Sequence, residues 1–137
     1  FADDNATFAT PGVNIGLFCS TPMVAVSRKI NRKKMMEMLL LGDKIDSRTA
    51  VEHGLINRSV PGKLLKETVS QVANKIASKS PLTLKIGKEA FYKQLEMPLS
   101  EAYEYTSKVM IQNMQARDAE EGINAFIEKR LPVWTGK

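Results

Sequence analysis

From Asn31 onward the apolar positions fall at helical spacing. Met35, Met38 and Leu39 share one face and Met36 and Leu40 another, so a helix apolar around most of its girth is predicted, and such a helix is normally buried. Gly42 follows Leu41 as a left-handed stop. Asp46 or Ser47 then caps a short helix through Glu52 that Gly54 ends. Two stretches read as strands instead: Ala6 to Ala9, ending before Pro11, and Leu55 to Val60, closed by Pro61-Gly62. The remainder is helical. Leu65, Val69, Val72, Ala73 and Ile76 form an amphipathic stripe, and Ser80-Pro81 restarts the chain as N-cap and first helical residue. Leu82, Ile86, Ala90 and Leu95 mark the next helix, and a longer stripe runs from Leu99 through Ala102, Thr106 and Met110 to Met114. Asp118 with Glu121 three residues on resembles a capping box, and a last helix carries Ile123, Phe126, Ile127 and Arg130 before Leu131-Pro132 breaks it. Two or three strands followed by five or so helices read like the second half of an α/β domain, because so few strands cannot form a covered sheet.

Composition narrows the class. At 137 residues, 43% hydrophobic and 26% charged, the chain is globular in type and long enough for one core. No apolar run approaches the roughly 20 residues that span a bilayer, so a soluble protein with no membrane partner is expected. The formal charge of +5 favours polyanionic partners, and also fits a mitochondrial-matrix protein. A single cysteine, Cys19, excludes an internal disulfide, and it reads as a small buried hydrophobe more readily than as a nucleophile. His53 has no ligand-type neighbours at metal spacing, so no metal site is expected. The sequence opens at Phe1 without a methionine, which leaves room for a signal, a transit peptide or a longer upstream segment.

The block LLLGDKIDSRTAVEHGLINRSVP, Leu39 to Pro61, resembles the crotonase (enoyl-CoA hydratase/isomerase) superfamily. Gly42, Ala50, Gly54, Leu55, Asn57 and Pro61 occupy the family's helix-stop, short-helix and Gly-Leu-Val-Asn positions. Ile76-Ala77 with Ser80-Pro81, Lys88 and EEGINAFIEKRLPVW continue the match, and ATFATPGVNIGLF corresponds to a segment that hydratases write Ala-x-Phe-Gly-x-Pro-Glu-x-x-x-Gly. The resemblance implies the C-terminal part of an α/β fold built from ββα turns. Residues 1–61 would close the core, and residues 62–137 would form the helical region that packs in trimers.

The same resemblance implies the chemistry. A CoA thioester is the expected ligand, with no cofactor, in mitochondrial fatty-acid metabolism. The loops that hold the thioester oxygen, and one of two glutamates used for hydration, would lie upstream of Phe1. The other carboxylate belongs directly after Pro11, where this chain has Gly12, and glycine can neither give nor take a proton. Thr10 to Gly16 then becomes an acyl-pocket wall without its acid, with Pro11, Gly12 and Leu17 on it. Its bland alternative is a plain strand-to-loop turn. Putting Glu at position 12 would raise hydration only where the upstream groups are intact. Lys129 sits where relatives reach CoA phosphates of a neighbouring subunit, and Met110 where some carry an aromatic that packs on adenine. An exposed lysine and a core methionine are the alternatives.

Three functions stay open at this level: an acyl-CoA-binding protein without ordinary hydratase activity, an active hydratase or isomerase that uses one upstream carboxylate, and an RNA-binding homologue. The last rests on Ser27 to Lys34, SRKINRKK, with five basic residues in seven positions from Arg28. A solvated face before a helix is the plainer reading, and basic charge at a helix start needs compensation. A homo-oligomer, trimer or hexamer, is expected. Phe126 and Trp134 read as core and docking residues.

Overall fold

The computed structural model describes residues 1–137, which divide into two compact units, Phe1–Gln71 and Val72–Lys137. In the first, β1 (Ala2–Asp3) runs parallel to β4 (Ser59–Val60), with Ala2 opposite Ser59. Strand β2 (Thr7–Phe8) runs antiparallel to β3 (Ile45–Asp46), with Phe8 opposite Ile45. Helices α1 (Ser20–Val26), α2 (Arg32–Leu41) and α3 (Ser47–Glu52) are interleaved among them, so helices do not simply follow strands. Helix α1 has no apolar stripe of its own, which is why periodicity passed over it.

The core of this unit is Ile30, Met35, Met38, Leu39, Ile45 and Ala50, with Phe8, Cys19, Met23 and Val26 packed around it. The predicted face of α2 is buried, but Met36, Leu40 and Leu41 are about half exposed, so the helix is covered on one side and not around its girth. Its start is compensated: the Asn31 side chain accepts from the Lys34 amide, and the Lys34 ammonium pairs with Glu37 at 3.2 Å. Gly42 ends it at φ 67°, a conformation that favours glycine. Asp46 caps α3 by accepting from the Thr49 amide, and this bond holds its carboxyl below the usual range.

The predicted strand from Leu55 shortens to Ser59–Val60. The amides of Leu55 and Ile56 both donate to the Ala50 carbonyl, 2.8 and 3.3 Å away, and so serve the end of α3 instead of a ladder.

Helix α4 (Gly62–Ala77) runs across the unit boundary, and the second unit holds α5 (Pro81–Gln94), α6 (Leu99–Met114) and α7 (Arg117–Ile127). Ser80 caps α5 as predicted, accepting from the Thr83 amide at 3.1 Å. The proposed capping box at Asp118 does not form. Ala116 is the N-cap of α7, and Asp118 lies within its first turn.

Asp118 instead ties three segments together. It is 1% exposed, and its carboxylate accepts from the Ser80 hydroxyl at 2.6 Å and from the Thr135 and Gly136 amides of the C-terminal tail. Its own amide donates to the Lys137 carbonyl. The last helix ends at Ile127, before Arg130, whose guanidinium turns back to hold both Glu121 oxygens at 2.5 and 2.9 Å. Trp134 docks as expected, its indole N–H donating to the Ser78 carbonyl at 2.8 Å. Phe126 is 84% exposed and is not a core residue of this chain.

Candidate functional site

Pro11 to Ile15 form a 3-10 turn directly after β2. Proline at the first position presets φ, and Gly16 closes the turn at φ 77° with its amide on the Val13 carbonyl. Two further bonds tighten it. The Leu17 amide donates to the Gly12 carbonyl at 2.9 Å, and the Gly12 amide donates to the Cys19 sulfur at 3.2 Å. Asn14 reaches the carbonyl of Gly42, at the end of α2, at 3.5 Å, which sets the turn against that helix.

The structure thus places Pro11 and Gly12 in the turn and Leu17 just past its Gly16 cap, tied back to it by the bond to Gly12. Ile15 and Leu17 are 77% and 63% exposed, so the face the turn offers is apolar. From Thr10 to Phe18 there is no carboxylate, imidazole, amine or thiol, so the turn itself carries no side chain suited to general acid–base work. The Thr10 hydroxyl is buried and finds no partner within the chain.

Met110 and Lys129 lie in the second unit. Met110, on α6, is 59% exposed in this chain. Lys129, two residues past the end of α7, is exposed and takes φ 55°, a left-handed conformation that costs a non-glycine residue about 1–2 kcal/mol. Lys129 therefore sits at a left-handed bend just past the helix C-terminus.

Groups with displaced pKa values have structural causes. The Ser80 hydroxyl holds the Asp118 carboxyl low against the opposing effect of burial, with Thr135 and Gly136 adding to it. Arg130, with help from the Val133 amide, holds Glu121 at about 2. Lys108 lowers Glu104. None of these lies on the Pro11–Leu17 turn.

The basic segment splits in its roles. The Arg28 guanidinium donates to the Val24 carbonyl at 2.7 Å and Lys34 is paired with Glu37, so at least two of the five cations are engaged within the chain. Arg28 and Arg32 border a groove of about 560 Å³ floored by Met23, Val24, Met35 and Met36. Sequence patterning missed this groove because it depends on how α1 lies across α2.

No group of three or more His, Cys, Asp or Glu side chains is arranged to hold a metal, and no helix is long and apolar enough to cross a membrane.

The enoyl-CoA hydratase/isomerase family model matches residues 1–137. The rat enoyl-CoA hydratase domain-containing protein 3, mitochondrial, is 50% identical over 134 residues, covering 98% of this chain and 45% of the relative. The crystal structure of human enoyl Coenzyme A hydratase domain-containing protein 3 superposes with a TM-score of 0.93 at 49% identity, covering 96% of this chain and 52% of that one. An enoyl-CoA hydratase structure from Mycobacterium smegmatis matches with a TM-score of 0.93 at 41% identity, covering 96% and 51%. The chain spans about half the length of the curated relatives it matches. Its helices and short strands are those of part of a crotonase fold, and the chain belongs to the enoyl-CoA hydratase/isomerase family.

Proposed function

We propose that this chain is the C-terminal part of an acyl-CoA-binding protein of fatty-acid metabolism in the mitochondrial matrix, without ordinary hydratase activity. The observation that carries the reading is the Pro11–Leu17 turn. It stands where the family resemblance puts a catalytic carboxylate, and it offers Gly12 and an apolar face. Exposed Ile15 and Leu17 suit a hydrocarbon chain. Lys129, on its fixed bend, suits a phosphate of the CoA, to which an ammonium contributes a point charge. The mitochondrial assignment draws on relatives named as mitochondrial.

Loss of general acid–base help costs on the order of 10² to 10⁴-fold in rate. The full-length protein is therefore expected to hydrate crotonyl-CoA slower than an ordinary hydratase by about that factor, while still binding acyl-CoA in calorimetry. Turnover at an ordinary hydratase's rate would overturn the reading.

Assembly as a homo-oligomer, a trimer or hexamer, belongs to the same proposal. Phe126, Ile127, Met110 and Met114 are all more than half exposed in this chain, and large exposed apolar patches are unusual on soluble monomers. This surface therefore meets either the upstream part of the protein or other subunits, and the family resemblance favours the subunits. Light scattering on the full-length protein checks this, and a monomer at micromolar concentration would refute it.

A further inference from the structure

Gly12 does not take a left-handed conformation, so its backbone does not require glycine. The space around it does. A Cβ built on Gly12 would stand 2.8 Å from the Cys19 sulfur and 2.8 Å from the Leu17 carbonyl oxygen, both inside the limit that real Cβ atoms observe. Neither neighbour is the loose end of a long side chain. The Leu17 oxygen is backbone, and the residue-17 amide is already held by the Gly12 carbonyl at 2.9 Å. The sulfur is on a short side chain, receives the Gly12 amide at 3.2 Å, and packs against the core of the first unit. The turn closes on itself at this one position.

We infer that the turn is sterically closed at position 12. Leu17 and Cys19 exclude a side chain there, so the carboxylate that the family resemblance places after Pro11 is kept out by the local fold as well as being absent. The inference rests on reading this turn as the acyl-pocket wall, and it deepens that reading. The wall is a rigid apolar surface shaped to hold an acyl chain, and Cys19 acts as its positioning residue. It follows that Gly12→Glu alone does not restore hydration, even where the upstream groups are intact. A side chain at position 12 needs the sulfur removed and the residue-17 peptide shifted.

The test uses the full-length protein and reads folding apart from activity. Forcing atoms into a packed site costs enough to lower the melting temperature of a protein of this size by roughly 2 °C or more, and that drop is expected for Gly12→Ala. Cys19→Gly should recover part of the loss in the double variant, so the two changes are non-additive. The same pairing should appear in activity. Gly12→Glu should hydrate crotonyl-CoA no faster than the parent, and Gly12→Glu with Cys19→Gly should exceed Gly12→Glu.

If Gly12→Ala does not fold, the milder Cys19→Ala decides. Hydrogen exchange in the peptide that contains Gly12 should speed up when the sulfur acceptor is gone, and the affinity ratio of saturated acyl-CoA to free CoA should fall at least several-fold. A Gly12→Ala protein that melts with the parent, strictly additive changes, an exchange rate that Cys19→Ala leaves unmoved, or a Gly12→Glu protein that gains hydration unaided would each overturn the closure. A parent that hydrates at ordinary rates would sink the proposed function, while the melting and exchange results would still judge the closed turn.

Discussion

The two units are held together in different ways. The first has a conventional apolar centre, in which Met35, Met38 and Leu39 are each under 5% exposed and meet Ile30, Ile45 and Ala50. The second fully buries only small or polar side chains: Ala90, Ala102, Ala125, Ser80 and Asp118. Alanines let α5, α6 and α7 approach closely, but they bury little apolar area. Order at the end of the chain comes instead from two polar knots, Asp118 with Ser80 and the tail, and Glu121 with Arg130 and Val133. The large apolar residues of this unit point outward, Phe126 and Leu131 most of all. A segment built in this way is suited to finishing its burial against another surface.

The comparison can be broken by equal truncations on its two sides. Leu39→Ala should destabilise the first unit by about 2–5 kcal/mol, as a cavity in a close-packed site does. Phe126→Ala should change the chain's own stability by no more than about 0.5 kcal/mol, as expected at an exposed position. Denaturant titration of both variants reads the contrast. A large loss from Phe126→Ala in the isolated chain would mean that its ring is buried here after all.

Acid sharpens the contrast, because the knots are ionic and the core is not. Glu121 is held at about 2 against an ordinary 4.5, so the fold favours its charged form. The stability this contributes is complete above about 4.5 and is lost as pH falls toward 2. Asp118, also lowered, loses its contribution in the same direction from its ordinary 3.8 downward. Trp134, the single tryptophan, reports from beside the tail. Its fluorescence should shift as pH drops below about 4.5, before exchange protection at Met38 and Leu39 is lost. Asp118→Asn should loosen the tail at neutral pH and remove the Asp118 part of this acid response. A Trp134 signal unmoved between pH 4.5 and 2 would dismiss the knots as the tail's main support.

The smallest effect belongs to the bend after α7. Lys129→Gly removes left-handed strain but loosens the unfolded chain, leaving a net gain of up to about 1 kcal/mol. Thermal melting measures it. If Lys129 also holds a CoA phosphate, the stabilised variant should bind CoA more weakly at low salt, with the difference shrinking as salt rises.

Much of the local structure was legible in the sequence. Asn31, Asp46 and Ser80 cap helices, Gly42 and Gly54 stop them, and the α2, α5 and α6 stripes mark real helices, because each signal acts over four or five residues. The family was legible too, through ordered blocks from Ala6 to Trp134, and so was the glycine at position 12. Several features were not readable in this way. The Asp118 and Glu121 spacing is that of a capping box, but Asp118 bonds to Ser80, 38 residues back, and to a tail 17 residues on. Leu55 and Ile56 have strand-forming side chains, yet their amides serve Ala50. Nothing in TPGVNIG shows that Cys19 folds back over Gly12.

The sequence by itself determined where helices begin and end, which family the chain resembles, and that glycine stands at position 12. Only the tertiary structure decided which apolar faces are covered, which carboxylates are tied, and how little room Gly12 has. Caps and stops are satisfied within one turn of the chain. Burial, ion pairing and steric closure depend on atoms that are distant in sequence or folded back in space.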